Sequence, residues 1–317
     1  MTVDTEPDFL SQADPYRREL LAHCYRMLGS VHDAEDLVQE TMLRAWRGYE
    51  KFEGRSSLRT WLYRIATTQC LTALESRGRR PLPTGLGGPS DTGGRPLEKR
   101  DEVPWLEPMP SDDEDPATIV TSRESMRLAF VAALQHLPAR QRAVLILRDV
   151  LAWRAAEVAD LLDTTTAAVN SALQRARAQL DEVAPTPEDV VEPATEDKRR
   201  LLARYVAAFE RKNVEEIVAL LAEDAVWEMP PFTTWFQGPE QVARHLSGQC
   251  PGGPGDFRFV TTEANGEPAL GMYLRADDGV FRPFTLQTFT VRDGRYSHVV
   301  SFFDHRLFDT FGLPETL

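Results

Sequence analysis

The chain has few cysteines, no long apolar run and no excess of basic residues, and each of these absences excludes a class of protein. Its three cysteines, Cys24, Cys70 and Cys250, stand far apart without metal-ligand spacing, which argues against a disulfide framework and a zinc site. No apolar run reaches the length of a membrane span, and the acidic start differs from a signal peptide. We therefore expect a cytoplasmic protein with free thiols and without a metal, a cofactor or a membrane partner.

The deficit of positive charge also argues against binding of nucleic acid by bulk electrostatics. The formal net charge is -13 at pH 7, whereas such binding needs a surplus of lysine and arginine to neutralise phosphates. Basic residues nevertheless cluster locally, so the net charge of the whole chain conceals an uneven distribution of positive charge. A length of 317 residues, with 42% hydrophobic and 27% charged, is typical of two or three globular domains.

The stretch at residues 30–46 predicts an amphipathic helix with an ordered charged face. Its apolar residues recur at the i, i+3, i+4, i+7 spacing of one helix face. Ser30 can cap the start, and the early acidic side chains suit the positive end of the helix dipole. A plain surface helix would share this period. The polar face, however, is acidic first and basic later, and it surrounds Leu43 as a docking face would.

A loop and a further helix follow at residues 49–57 and 58–80. Their basic side chains alternate with aromatic ones, which suits single-stranded nucleic acid because cations bind phosphates and rings stack on bases. Equally, Trp61 could belong to the core and the arginines to a solvated surface. Both interpretations stay open on these residues alone.

Proline and glycine dominate residues 82–116 and predict a flexible linker. An apolar island interrupts it, with the sequence VPWLEPMP at residues 103–110. Because Trp105 and Leu106 are costly to leave in water, we expect the island to dock on another part of the molecule or on a partner.

Residues 117–183 read as helices that end in a helix-turn-helix at residues 153–180. The second of its two helices buries an apolar stripe and shows a polar outer face, which suits the major groove of DNA. A plain helical hairpin in a bundle would have the same pattern.

After an acidic linker at residues 184–198, residues 199–317 predict an α+β cone. Two helices come first, and the apolar period then changes to two, with turns at Asn265-Gly266 and Asp293-Gly294. We expect one interior pocket between the helices and the sheet. Its candidate lining residues are Trp227, Met229, Trp235, Tyr273, Phe284, Gln287, His298, Phe302 and Asp304.

Together these parts resemble the extracytoplasmic-function (ECF) group of bacterial sigma-70 factors, and within it the actinobacterial sigma factor G type with an added SnoaL-like, NTF2-fold domain. The resemblance is carried by DAEDLVQE with Trp46, by FEGRSSLRTWLYRIAT, and by the block from LPARQRAVLILRDV to LQRARAQL. WLEP at residues 105–108 resembles a linker motif of such factors. The implied fold is two all-α sigma domains, region 2 at residues 9–81 and region 4 at residues 117–183, followed by an α+β NTF2-like cone.

The resemblance implies an alternative sigma factor that binds RNA polymerase core through the β′ coiled coil and the β flap and directs it to promoters. It implies a monomer when free. The residues that would face the polymerase are Asp33, Glu35, Asp36, Gln39, Glu40, Leu43, Arg44 and Arg47.

The same resemblance implies two DNA-reading surfaces. The −10 element would be read by Lys51, Arg55, Ser56, Ser57, Arg59, Trp61, Arg64, Thr68 and Gln69. The −35 element would be read by Thr164, Thr165, Thr166, Ala168, Asn170, Ser171, Gln174, Arg175 and Arg177. The linker residues Trp105, Leu106, Glu107 and Pro108 would connect the domains.

Three hypotheses compete for the last domain. It could brace the other domains through the island and regulate promoter use, or bind a small molecule that shifts this packing. It could also be an isomerase or cyclase with Asp304 or His298 as general base and Tyr273 or Gln287 as donor. For the whole chain, a ligand-sensing helix-turn-helix regulator is the alternative; the acidic face at residues 33–40 argues against it.

Overall fold

The computed structural model describes residues 5–54, 56–76, 78–90, 97–111, 125–183 and 195–317. These residues divide into two compact units. The first combines the described parts of residues 1–80 and 116–185, and the second combines those of residues 81–115 and 186–317. None of the helices in these ranges has both the length and the hydropathy of a membrane span.

The N-terminal helical half of the first unit comprises residues 5–76. Gly29 ends its second helix in the left-handed conformation with φ 70°, and Ser30 caps the third, its side chain accepting a hydrogen bond from the Asp33 backbone N–H at 3.1 Å. The capped start confirms the helix expected near residues 30–46. The helices are α1 (Thr5–Ala13), α2 (Arg17–Leu28), α3 (Val31–Gly48) and α4 (Leu58–Ser76).

The helix-turn-helix half of the first unit comprises residues 125–183. Asp163 occupies the turn with a positive φ of 51°, a conformation that aspartate tolerates better than most residues. Val169, Leu173 and Ala176 form a buried stripe on the last helix. The helices are α5 (Leu128–Leu134), α6 (Ala139–Leu145, continued by a π-turn at Ile146–Val150), α7 (Ala155–Leu161) and α8 (Thr166–Val183).

The second unit is an α+β cone with a six-stranded sheet in the order β2-β1-β6-β5-β4-β3. Strand β1 lies parallel to β6, and the other neighbouring strands are antiparallel. Asn265 and Asp293 turn with φ of 57° and 52°, as their Asn-Gly and Asp-Gly pairs predict. The elements are α9 (Thr195–Glu210), α10 (Val214–Val218), β1 (Leu221–Glu228), β2 (Trp235–Gln237), α11 (Pro239–Gly248), β3 (Phe257–Ala264), β4 (Glu267–Arg275), β5 (Phe281–Arg292), β6 (Arg295–Phe302) and α12 (Arg306–Thr310).

The segment expected to be a flexible linker is instead bound along the cone over its described parts, residues 81–90 and 97–111, which we call the arm. The Ser90 N–H donates to the Trp235 carbonyl at 2.8 Å, and the Asn265 N–H donates to the Met109 carbonyl at 2.9 Å. Leu106 is fully buried. Prolines keep a backbone extended, and an extended backbone can pair with strands and bury apolar side chains, as the arm does here.

The docking expected for the island at residues 103–110 agrees with this arrangement. The Trp105 indole N–H donates to the Arg100 carbonyl at 2.8 Å, and Pro108 is buried beside the fully buried Leu106. Pro110 forms an isolated β-bridge with Ala264 at the end of β3. Residues 184–194 of the second expected linker lie outside the described residues.

Candidate functional site

The polar face of α3 is largely exposed, as its sequence predicts. Two members of this face, Asp33 and Glu40, are half-buried. Asp33 forms an ion pair with Arg80, and Glu40 forms one with Arg44 at 2.6 Å. Among the described residues, the face therefore combines unpaired carboxylates near its start with unpaired and paired guanidinium groups near its end. Its exposed members are Glu35, Asp36, Gln39, Leu43, Arg44 and Arg47.

Two large apolar side chains are exposed near the C-terminal end of α3. Leu43 is 38% exposed and Trp46 is 41% exposed. Both lie among charged residues. An exposed apolar centre surrounded by charged side chains is typical of a surface that binds another protein. The sequence placed Trp46 in a family motif but not among the contact residues, because a single exposed tryptophan has no periodic signal.

The start of α4 is organised by a cap and an ion pair. The Ser57 hydroxyl accepts a hydrogen bond from the Thr60 N–H at 3.1 Å. Arg59 binds both carboxylate oxygens of Glu19 in α2, at 2.8 and 2.7 Å, and its guanidinium lies over the Tyr63 ring at 5.0 Å. Hydrogen bonding to Glu19 raises the pKa of Arg59. Arg59 is thus already paired, unlike a free phosphate ligand.

Four aromatic rings form a ladder between α1 and α4. The rings of Phe9 and Tyr49 lie 5.0 Å apart, those of Tyr49 and Phe52 6.2 Å, and those of Phe52 and Trp61 4.9 Å. Gly48 allows the close approach of Trp61, since an added Cβ would lie 3.3 Å from that indole. Trp61 is therefore half-buried within the ladder. The ladder holds the backbone in place where the loop after Phe52 begins.

The remaining residues expected at the −10 surface differ in their availability. Lys51, Ser56 and Thr68 are exposed, although the Thr68 hydroxyl donates to its own helix. The Gln69 amide donates to Thr41 in α3 at 2.9 Å, and the Arg64 guanidinium donates to the carbonyl of Asp160 in α7. Arg55 lies outside the described residues.

Helix α8 presents the polar face that the sequence predicts. Thr165 accepts a hydrogen bond from the Ala168 N–H at 3.2 Å and so caps the helix, and Arg177 is held by Asp149 at 2.8 and 2.7 Å. Amide and guanidinium groups such as those left on this face can read base edges in a major groove. The exposed residues of the expected set are Thr164, Thr165, Thr166, Ala168, Asn170, Ser171, Gln174, Arg175 and Arg177.

The nine residues expected to line one pocket lie on two faces of the sheet. Trp227 pairs with Val299, and both belong to the inner core beneath the helices. Because side chains alternate along a strand, His298 and Phe302 point to the outer face. Register and contacts assign Trp227, Met229, Phe284 and Gln287 to the inner side and Trp235, Tyr273, His298 and Phe302 to the outer side, with Asp304 beyond the end of β6. The single interior is therefore a wrong prediction.

The candidate acid–base groups of the cone are all engaged with neighbours. Asp304 accepts hydrogen bonds from Arg306, with its Oδ1 at 3.0 Å from the guanidinium Nε. His298 Nε2 lies 2.7 Å from the fully buried carboxylate of Glu228. On the inner side, the Tyr205 hydroxyl donates to Gln287 at 3.1 Å, and burial raises the pKa of Tyr205. These contacts tie elements of the fold together.

Comparison with known proteins identifies the three folded parts. Family models match as Sigma-70 region 2 at residues 13–80, Sigma-70 region 4 at residues 127–180 and a SnoaL-like domain at residues 202–306. The ECF RNA polymerase sigma factor SigG of Mycobacterium tuberculosis is 58% identical over 316 residues, covering 98% of this chain and 85% of that protein.

A second relative is similar in both sequence and structure. The ECF sigma factor SigJ of Mycobacterium tuberculosis is 29% identical over 302 residues, covering 90% of this chain and 88% of that protein. Its crystal structure matches with a TM-score of 0.63 at 25% identity, covering 96% of this chain and 100% of that one. The chain therefore belongs to the ECF sigma factors, which bind the RNA polymerase core and direct promoter-specific transcription initiation, and it carries a C-terminal SnoaL-like domain.

Proposed function

We propose that the chain binds the polymerase core mainly through the polar face of α3, and that this face contacts the β′ coiled coil. The observation that supports this is the order of exposed charge along α3, acidic before basic, with Leu43 between. A partner with the opposite order would pair with both ends and cover the leucine. The family resemblance adds the β flap as a contact of the helix-turn-helix half.

For the −10 element, we infer two kinds of residue. Lys51, Ser56 and Thr68 are exposed and suit direct contact with unstacked DNA, and Arg64 joins them once it leaves Asp160. Phosphate contacts need accessible cations, and bases need accessible polar groups. The paired or half-buried members suit positioning instead: Ser57 by capping, and Arg59, Trp61 and Gln69 by holding α4 against its neighbours. Arg55 stays with the proposed contacts on its sequence motif alone.

For the −35 element, the polar face of α8 is the proposed reader. Asn170, Ser171, Gln174 and Arg175 project from consecutive turns beside a buried stripe, the arrangement of a recognition helix in a major groove. Arg177 is better suited to bracing the helix, because Asp149 holds it. The helix lacks a dense basic surface, so we expect −35 binding to depend on the polymerase for most of its affinity.

The SnoaL-like domain, in this proposal, is a regulatory brace without catalytic activity. It binds the arm, which connects the two sigma regions in the sequence, and so limits how far those regions can separate. A small-molecule ligand would act by favouring or opposing release of the arm. Because the arm covers the sheet within one chain, a monomeric free state is the matching expectation.

The experiment that tests the function is in vitro transcription with purified core polymerase and a library of upstream regions. The full chain should select a defined set of start sites that the core alone ignores. A Trp105→Ala chain, folded by circular dichroism, should change the yield from those sites. No selection of start sites by the full chain would contradict the proposal, and an unchanged yield with Trp105→Ala would contradict the brace.

A further inference from the structure

We propose that the SnoaL-like domain binds a phosphate monoester with a small organic group, in an open groove between α9 and the turn that joins β5 to β6. The groove has a volume of about 400 Å³, within the usual range of small-molecule sites. Both α9 and the turn belong to the second unit, so one compact body contains the whole site. The lining includes Asp197, Lys198, Arg200, Leu201, Arg204 and Val291.

The charged part of the lining favours an anion with two negative charges. Lys198, Arg200 and Arg204 are positive, and Asp197 is the one negative side chain that lines the groove among the described residues. This excess of two positive charges occurs in a chain whose formal net charge is -13. A phosphate monoester carries about two negative charges at pH 7, and guanidinium groups bind its oxygens through paired hydrogen bonds. A single carboxylate would neutralise only half of the excess.

The two arginines of the groove are available to a ligand. Arg204 is exposed, and no hydrogen bond or ion pair engages it among the described residues. Arg200 pairs with Asp197 at 3.3 Å, but their side chains are 67% and 60% exposed, and an ion pair so exposed contributes little. The spacing of Asp197, Arg200 and Arg204 places them on one side of α9. A phosphate can therefore bind both guanidinium groups without breaking a strong contact.

A buried hydroxyl beside the groove also lacks an acceptor. Tyr296 is 1% exposed, and its hydroxyl has no hydrogen-bond partner among the described residues. Two lining residues flank it: Val291 is its partner across β5 and β6, and the Arg204 guanidinium opposes part of the rise in the pKa of Tyr296 that burial causes. The hydroxyl is thus a proton donor at neutral pH, and an unpaired buried donor is costly. A phosphate oxygen beside Arg204 would accept its hydrogen bond.

The apolar part of the lining favours an ester over free phosphate. Leu201 and Val291 line the groove, and each is 7% exposed. A ring or a short alkyl group would remove the rest of this apolar surface from water. Inorganic phosphate would contact the cations and leave the two apolar side chains uncovered.

Calorimetric titration of the full chain with phenyl phosphate tests the site. At low salt, where exposed charges are screened least, we expect saturable binding with a Kd of about 1 mM or below. Benzoate has the ring but one negative charge, and inorganic phosphate has the charge but no ring; each should bind at least about fivefold more weakly. Absence of phenyl phosphate binding overturns the proposal. Equal affinity for benzoate contradicts the charge match, and equal affinity for inorganic phosphate contradicts the preference for an ester.

Two variants test which side chains hold the phosphate. Arg204→Ala should weaken phenyl phosphate binding about fivefold, the upper range for an exposed charge pair. Arg199→Ala, an exposed position of α9 outside the lining, is the matched control and should leave the Kd unchanged. An equal loss of affinity in both variants would show that only the general charge of the helix matters, and would overturn the site.

Tyr296→Phe tests the buried hydroxyl. It should weaken phenyl phosphate binding by about fivefold and leave the Tm of the free chain equal or higher, because the lost hydroxyl had no partner. A lower Tm with an unchanged Kd would assign the hydroxyl to the fold and contradict its place in the site. None of these titrations contains polymerase or DNA. Failure of start-site selection therefore contradicts the proposed function, whereas the groove is judged by the Kd values alone.

Discussion

The buried carboxylate of Glu228 accepts a hydrogen bond from the backbone N–H of Thr84 at 2.7 Å, so the end of strand β1 holds the arm directly. The other carboxylate oxygen lies 2.7 Å from His298 Nε2. A buried charge with two donors is satisfied, and removing the charge weakens both bonds at once.

Glu228→Gln should therefore loosen the arm. We expect a loss of about 1.5–3 kcal/mol of unfolding free energy, the usual contribution of hydrogen bonds to a charged group. Limited proteolysis should cut near residues 84–90 faster than in the parent chain. Glu223→Gln, an exposed position on the same strand, is the matched control. Equal cleavage rates in the two variants would refute the role of Glu228.

Reversal of charge on α3 should remove polymerase binding. Asp36→Lys combined with Glu40→Lys places positive charge where the partner is expected to be positive, which costs affinity by repulsion. Co-purification with core should fall at least tenfold. Glu75→Lys, an exposed acidic position on α4, should leave it unchanged. Retained binding in the double variant would exclude this face as the main contact.

Arg59 should behave as a positioning residue and Lys51 as a phosphate contact. Arg59→Lys loses the bidentate bond to Glu19, in which the two side chains are 37% and 31% exposed. We expect a loss of only about 1 kcal/mol of stability, because solvent screens an ion pair at this exposure. The salt dependence of DNA binding should change little. Lys51→Ala should lower the salt slope of DNA binding by about one counterion. Affinity of the polymerase–promoter complex across a salt series measures both. A reduced salt slope for Arg59→Lys would show that the Arg59 side chain contacts a DNA phosphate.

The polar face of α8 should determine −35 preference. Replacing Arg175 or Gln174 by alanine removes a side chain suited to bidentate base contact, and each should cost about 1–3 kcal/mol of discrimination at one base pair. Arg177→Ala should weaken all sequences alike, because its guanidinium is held by Asp149. Start-site selection from a library randomised at the −35 element checks this. Preference changes for Arg177→Ala alone would reverse the assignment.

Acid should destabilise the helical unit through His23. Burial lowers the pKa of His23 to about 3 from 6.5, so the folded state keeps the ring neutral while the unfolded state binds a proton below 6.5. Stability is full above pH 6.5 and falls as the pH drops towards 3. Between pH 7.5 and pH 5 the loss should be about 2 kcal/mol.

Chemical unfolding at the two pH values measures this loss. His23→Asn can keep a polar contact with the Thr67 hydroxyl, which lies 2.9 Å from the ring in the parent, and should flatten the pH dependence. His305→Asn, at an exposed position, is the control and should leave the pH dependence of stability unchanged. An equally steep pH dependence in His23→Asn would assign the acid sensitivity to other groups.

Local sequence determined the helices and turns of this protein because their causes are local. The cap at Ser30 and the Asn265-Gly266 turn each depend on a few neighbouring residues, and both are as expected. The exposed faces of α3 and α8 follow from helical period, so their candidate residues were within reach of the sequence.

Tertiary structure decided what those side chains contact. Arg59 and Arg64 look alike in sequence, yet one binds Glu19 forty positions earlier and the other binds Asp160 in the other half. The arm resembles a linker by composition, and only the sheet beside it provides partners for its backbone and for Leu106. Pairing across such separations depends on which surfaces folding brings together, and no short window of sequence contains that information.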